Sequence, residues 1–239
     1  MTHDPLALAV DVERATGRLL TTAAALDDTA LAGPSLLPGW TRGHVLTHLA
    51  RNADGAVNLL TWARTGAETP QYASWEAREA DIDAGADRPA GEQVADLSAA
   101  SQRLAAAVAE MPPEAWAKVV RWTSGSEAPA ARVMWSRLRE VEIHHVDLDA
   151  GYTPADWPDA FTLRMLRSLT RDFGGRDDGP RLVVRAPEVG SDLPIGSAAT
   201  EPIVGGPGAA VVAWLIGRSN GDGLTVQPPG PLPAVPTWS

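Results

Sequence analysis

Long amphipathic patterns dominate the first 150 residues of the chain. The stretch that starts at Asp4 places apolar residues three and four positions apart, as a helix with one buried face requires. Three similar stretches follow: one with Thr41 as a plausible N-cap, one over residues 93–111 that ends before a Pro-Pro pair, and one that ends near Gly151. Four such helices, joined by loops, predict a four-helix bundle.

The sequence changes in character after Gly151. β-branched runs there predict short strands, and apolar runs predict helices, separated by a stretch from Pro187 to Gly208 that is rich in Gly, Pro and Ser. The predicted segments are helices over 157–173 and 209–218 and strands over 181–186 and 224–227. We therefore predict the α+β class, with an N-terminal four-helix bundle over residues 1–151 and a smaller α+β domain over residues 152–239. The Pro-rich end is expected to lie extended across the surface.

The net charge and the length of the apolar runs argue against two classes of binding partner, nucleic acids and membranes. The formal net charge is −10 and Lys118 is the only lysine, whereas nucleic-acid binding rests on clustered cations, so no nucleic-acid partner is expected. No apolar run approaches the ~20 residues of a membrane span, and the start lacks the pattern of a signal peptide. We expect a cytoplasmic protein with no membrane partner.

The chain has no cysteine, which excludes disulfides, thiolate metal sites and a cysteine nucleophile. Any thiol in its chemistry must arrive with a substrate or cofactor.

Four of the five histidines lie in two helical stretches, as the pairs His44 with His48 and His144 with His145. Side chains from different helices converge inside a bundle, which is a common way to build a metal site. Two histidines and one glutamate would hold zinc or a similar divalent ion and leave a coordination position open. His48 borders the apolar stripe of its helix while His44 points toward the polar side, so His48 is the better candidate ligand.

Two carboxylate–histidine pairs compete on the last helix of the bundle. Glu140 and His144 are four residues apart and share one helical face, so both side chains could reach one ion. Glu142 and His145 are three apart and lie nearer the centre of the apolar stripe. Spacing does not decide between the two pairs.

Arg218 follows an apolar helix at a Gly-Arg junction and precedes SNGDG, a turn-forming sequence. Its guanidinium could cap the end of that helix, as cations commonly do. It could also bind a substrate carboxylate through two parallel hydrogen bonds.

Three stretches resemble the mycothiol-dependent maleylpyruvate isomerase family: LLPGWTRGHVLTHLARNADG, TWARTGAETPQY and MWSRLREVEIHHVDLDAG. The family has a DinB-like four-helix bundle with a metal site, and the similarity extends over nearly the whole chain. Position by position, the resemblance implies His48, Glu140 and His144 as metal ligands and Arg218 as the functional arginine of the C-terminal domain.

The resemblance also implies the reaction and its cofactors. A divalent metal, expected to be zinc, and mycothiol as the low-molecular-weight thiol would convert a small-molecule substrate, maleylpyruvate, into its trans isomer, fumarylpyruvate. Similar bundles also occur in mycothiol S-transferases, and the same ligand set permits a metal-dependent hydrolase. The three ligands do not separate these reactions.

Overall fold

The computed structural model describes residues 4–196 and 202–238, and the chain divides into two compact units between Tyr152 and Thr153. Helices make up most of the first unit, and the second unit combines helices with a sheet. The predicted α+β class is therefore confirmed.

The first unit is a helical bundle with additions. In chain order its elements are α1 (Pro5–Ala24), α2 (Asp28–Ala32), α3 (Arg42–Thr65), α4 (Trp75–Ala86), α5 (Ala90–Ala109), β1 (Val119–Arg121), β2 (Glu127–Pro129) and α6 (Arg132–Asp147). Helices α1 and α3 each pack against both α5 and α6, so the four long helices enclose one core. The strands β1 and β2 form an antiparallel hairpin.

Helix α3 begins where its sequence predicts. Thr41 is the N-cap, and its hydroxyl accepts a hydrogen bond from the backbone N–H of His44 at 3.3 Å. The ring Nδ1 of His44 accepts the backbone N–H of Thr41 in return, at 3.2 Å. The helix ends at Gly66, whose φ of 76° is left-handed. The side chain of His44 is therefore engaged at the start of α3.

The structure has helix α4 over Trp75–Ala86, where the sequence analysis predicts no helix. Ser74 caps it, and its buried positions are only Ile82, Gly85 and Ala86, too few to form an apolar stripe. It lies unusually close to α3: a Cβ at Gly43 would overlap the carbonyl oxygen of Ala86, and one at Gly85 would lie 2.5 Å from Thr47 Cγ2. Two small residues thus allow this contact.

We expect Gly43→Ala to lower the free energy of unfolding by about 1–3 kcal/mol, because the added methyl group must displace the backbone of α4. Gly17→Ala is the matched control, since Gly17 lies within α1 with nothing within 4 Å of its added Cβ. That change is expected to raise the free energy of unfolding by roughly 0.5–1 kcal/mol. Urea unfolding of both variants measures the difference, and equal effects would show that the α3–α4 contact tolerates a side chain.

The second unit packs two helices with a mixed sheet. Its elements are α7 (Asp159–Gly174), β3 (Leu182–Arg185), β4 (Leu193–Ile195), β5 (Ile203–Gly205), α8 (Gly208–Leu215) and β6 (Thr225–Gln227). The strand order is β4-β3-β5-β6; β3 and β5 are parallel, and the other pairs are antiparallel. Both predicted helices and both predicted strands are present, whereas β4 and β5 lie in the Gly/Pro/Ser-rich stretch, where none was expected. Residues 197–201 of that stretch lie outside the described residues.

Residues 228–238 of the Pro-rich end form no helix or strand. The Nη1 group of Arg176 donates a hydrogen bond to the carbonyl oxygen of Thr237 at 2.9 Å, which ties this segment to the second unit. Across the described part of the chain, no helix combines the length and the apolar character needed to cross a bilayer.

Candidate metal centre

The residues His48, Glu140 and His144 meet where α3 faces α6. His48 Nε2 lies 2.9 Å from Glu140 Oε2, and His144 Nε2 lies 3.4 Å from the same oxygen. One donor atom from each side chain falls within 4.8 Å of the others. The two imidazole rings meet edge to face, with centroids 4.7 Å apart. A single ion placed among them could contact all three residues.

The donor set fits a divalent transition metal. Two imidazole nitrogens and one carboxylate oxygen suit zinc and similar ions, and three protein ligands are typical of sites that keep a position open. His48 is buried at 4% exposure, while the side chains of His144 and Glu140 keep 17% and 28%. The cluster is therefore embedded in the bundle but within reach of a ligand from solvent.

Asp147 holds the ring of His144 in place. Its carboxylate oxygen lies 2.8 Å from His144 Nδ1, and its side chain is almost wholly buried at 1% exposure. A carboxylate at Nδ1 keeps a proton on that nitrogen and directs Nε2 toward Glu140. Histidine ligands of metal ions usually have such a partner, which fixes the ring orientation and the tautomer.

Burial and hydrogen bonding set the charges in the cluster. Burial lowers the pKa of His48 to about 4, so this ring is neutral at neutral pH. Burial opposes the charge on Glu140, but hydrogen bonds from His144 and His48 outweigh it and hold its pKa well below the usual value. Burial also opposes charge on His144, yet hydrogen bonds to Asp147 and Glu140 raise its pKa to about 9. His144 must therefore release the proton on Nε2 before this nitrogen can bind a metal.

The competing pair, Glu142 and His145, faces the other side of α6. The carboxylate of Glu142 lies 2.6 Å from Arg18 Nη2 of α1 and accepts a hydrogen bond from Tyr152 at 2.6 Å. His145 Nε2 lies 2.8 Å from the Thr22 hydroxyl, and its ring stacks on Tyr152 with centroids 3.7 Å apart. Both residues are buried at 1% exposure, but they are engaged away from His48. The structure therefore gives this alternative pair no role in the cluster.

Comparison with known protein families finds a match over most of the first unit. The model of the mycothiol maleylpyruvate isomerase N-terminal domain matches residues 12–149, which include all three residues of the cluster. The chain belongs to this family. No curated protein matches the sequence. The resemblance seen in the sequence is thus confirmed.

Two solved structures of the mycothiol maleylpyruvate isomerase family extend the match to the whole chain. A crystal structure of the mycothiol-dependent maleylpyruvate isomerase aligns with a TM-score of 0.90 and 31% identity, covering 98% of this chain and 97% of that one. A histidine-to-alanine mutant of that enzyme aligns with a TM-score of 0.89 at the same identity and coverage. The second unit therefore shares its fold with the isomerase as well.

Arg218, to which the family resemblance assigns a function, lies in the second unit just after α8. Its backbone N–H donates to the carbonyl oxygen of Ala213 at 2.7 Å, and its Nη1 donates to that of Ile216 at 3.1 Å. Gly217, with φ of 74°, makes the left-handed turn between Ile216 and Arg218. These contacts match the helix-capping alternative, and the substrate-binding role remains a prediction.

Arg78 is a residue of the site that the sequence analysis missed. It lies on α4, and its Nη2 is 2.9 Å from His48 Nδ1. Its Nη1 pairs with the carboxylate of Glu79, and its guanidinium lies 5.7 Å from the ring centroids of both Tyr72 and Trp75. No apolar stripe marks α4, so the sequence offered no signal that this arginine would reach the cluster.

We expect Asp147→Asn to weaken metal binding by roughly 10–100-fold, because an amide holds the His144 ring less firmly and no longer increases its basicity. Competition with a fluorescent zinc chelator measures the affinity. Asp96→Asn is the control, since Asp96 pairs with Arg51 and Arg88 on another part of the bundle. Equal zinc affinity in both variants would show that Asp147 has only a structural role.

Proposed function

We propose that this protein is a mycothiol-dependent isomerase that converts maleylpyruvate into fumarylpyruvate. The observation that carries the proposal is the cluster of His48, Glu140 and His144, a three-donor set in which the side chains of Glu140 and His144 keep some exposure to solvent. Its presence in a chain of the isomerase family, with 31% identity to the solved enzyme, supports this function over others. The absence of cysteine fits as well, because mycothiol would supply the thiol.

Each side chain of the site has a separate role in the proposed reaction. A divalent ion held by His48, Glu140 and His144, zinc by our proposal, would lower the pKa of a thiol and so supply thiolate at neutral pH. Asp147 would keep the ring of His144 in the orientation that presents Nε2 to the ion. Arg218 would bind a substrate carboxylate or the negative charge that develops on the substrate during addition.

The reaction balances with the thiol as a catalyst. The mycothiol sulfur adds to one carbon of the cis double bond and a proton adds to the other end of the conjugated system, which leaves a single bond. Rotation about that bond, followed by loss of the proton and the thiolate, gives the trans isomer. Mycothiol is thus regenerated in each turnover.

The products of turnover test the proposal. The purified protein, loaded with zinc, is incubated with maleylpyruvate and a tenth of an equivalent of mycothiol, and the products are identified by mass spectrometry and assigned as cis or trans by proton NMR. We expect complete conversion to an isomer of unchanged mass and full recovery of the thiol. One thiol consumed per substrate, with an adduct of higher mass, would instead assign the protein as a mycothiol S-transferase. Turnover without thiol to a product that has gained water would assign it as a hydrolase.

A further inference from the structure

The hydrogen bond between Arg78 and His48 fixes the tautomer of the histidine. A guanidinium only donates hydrogen bonds, so Nδ1 of His48 is the acceptor over the 2.9 Å that separate it from Arg78 Nη2. A neutral imidazole has one N–H, which must then lie on Nε2. That nitrogen donates to Glu140 Oε2 at 2.9 Å, so both contacts of the ring agree on one tautomer.

This tautomer excludes metal coordination through Nε2. A ligand nitrogen must present its lone pair to the ion, so the N–H of a neutral His48 would move to Nδ1. There it would face the N–H of Arg78, and two donors cannot share a hydrogen bond. Arg78 must therefore leave His48 Nδ1 when His48 becomes a metal ligand, and the histidine stays neutral throughout.

The surroundings keep the released guanidinium close to the cluster. Its side chain is only 14% exposed, and the rings of Tyr72 and Trp75 each lie 5.7 Å from its central carbon and 6.4 Å from each other. Cations are favoured beside aromatic faces at such distances. Its remaining partners are the Tyr72 side chain and the carboxylate of Glu79, and the Glu79 side chain is 52% exposed and hence easily displaced. Arg78 already binds a carboxylate, and release from His48 frees further N–H groups to bind another.

We infer that Arg78 is a substrate-binding residue: metal binding at His48 releases its guanidinium, which then binds a carboxylate of the ligand that occupies the open side of the metal centre. The inference rests on the proposed function, which supplies both the ion and an anionic substrate. Maleylpyruvate carries two carboxylates, and Arg78 would bind one of them. The fork of N–H donors on arginine suits such a group better than an ammonium does.

Zinc affinity tests the release step without any assay of activity. Arg78→Met keeps the length of the side chain but removes its donors, so metal binding no longer has to break a hydrogen bond. We expect zinc to bind this variant at least tenfold more tightly than the wild type, the effect of one hydrogen bond that involves a charged group. Arg103→Met is the matched control, because Arg103 pairs with Asp54 on an exposed part of the bundle, and its zinc affinity should not change.

Maleate, an unreactive dicarboxylate, tests the binding step on the zinc-loaded protein. Calorimetry should show maleate binding at least tenfold more weakly to Arg78→Met than to the wild type, with Arg78→Lys in between. Glu79→Gln removes the competing carboxylate and should strengthen maleate binding. These variants change exposed or half-buried groups, and zinc binding itself reports that each has folded.

The outcomes separate this inference from the proposed function. Zinc affinity unchanged by Arg78→Met would overturn the release step, and unchanged maleate affinity would overturn the substrate-binding role. A wild-type protein that binds no zinc would overturn the metal centre and this inference together. Formation of a thiol adduct instead of an isomer, with the zinc and maleate results as expected, would overturn the proposed reaction and leave Arg78 as a carboxylate-binding residue.

Discussion

Replacing either His48 or Glu140 with alanine is expected to abolish metal binding and, with it, the proposed isomerase activity. Each would supply one of three donors, so its loss would leave two ligands, fewer than a stable zinc site uses. Removing a residue that only hydrogen-bonds to a metal ligand costs roughly 10–100-fold in metal affinity. The loss of a direct ligand should therefore cost more than ~100-fold. Zinc content per chain, measured by atomic emission after dialysis, should fall from about one to near zero.

His44→Ala is the matched control for His48→Ala. The two histidines lie one turn apart on α3, but His44 caps the helix, with Nδ1 2.7 Å from the Thr41 hydroxyl. This variant should keep its zinc and its activity, with a loss in stability of about 1 kcal/mol from the altered cap. Undiminished zinc in both His48→Ala and Glu140→Ala would contradict the ligand assignment outright.

Arg218→Ala is expected to reduce kcat by roughly 10²–10³-fold while the zinc content stays unchanged. The reason is that a single donor aimed at developing negative charge typically contributes that much to the rate. Steady-state kinetics with maleylpyruvate, together with metal analysis of the same preparation, measures both quantities. Arg218→Lys should recover only part of the rate, because lysine lacks the planar fork of donors.

A purely structural role for Arg218 leads to a different result. Its Nη1 donates to the carbonyl oxygen of Ile216, so loss of this contact alone would lower the melting temperature and leave kcat intact. Arg176→Ala is the control, since Arg176 also donates to a carbonyl oxygen, that of Thr237, within the second unit. If both variants lose stability equally and neither loses activity, Arg218 is a helix cap and no more.

The long helices of the bundle could be predicted from the sequence, whereas helix α4 and strands β4 and β5 could not. Helices α1, α3, α5 and α6 each bury a stripe of apolar residues, which leaves a periodic pattern. Helix α4 buries three residues, of which two are small, and strands β4 and β5 have three residues each. Segments that bury so little leave no pattern long enough to detect, and their position depends on contacts distant in sequence.

Spacing predicted that polar residues of α3 and α6 meet inside the bundle but could not choose between the two carboxylate–histidine pairs on α6. Helix α6 packs against α1 on one side and α3 on the other, so polar residues are buried on both. By spacing alone, Glu142 and His145 are as suitable for metal binding as Glu140 and His144. In the structure, however, Glu142 pairs with Arg18 and His145 with Thr22, both on α1. The family resemblance chose the pair that faces His48, which helical periodicity had left open.

Polar contacts on both sides of α6 also fix its rotation about its own axis. A shift of one residue would turn the helix by about 100° and break the contacts to α1 and α3 at once. Folding alone therefore brings the three donors together. The conformational entropy of these side chains is lost on folding, so metal binding does not have to order them. In small zinc domains, by contrast, the metal supplies the folding energy. Chelators should accordingly inactivate this protein and leave its helices intact.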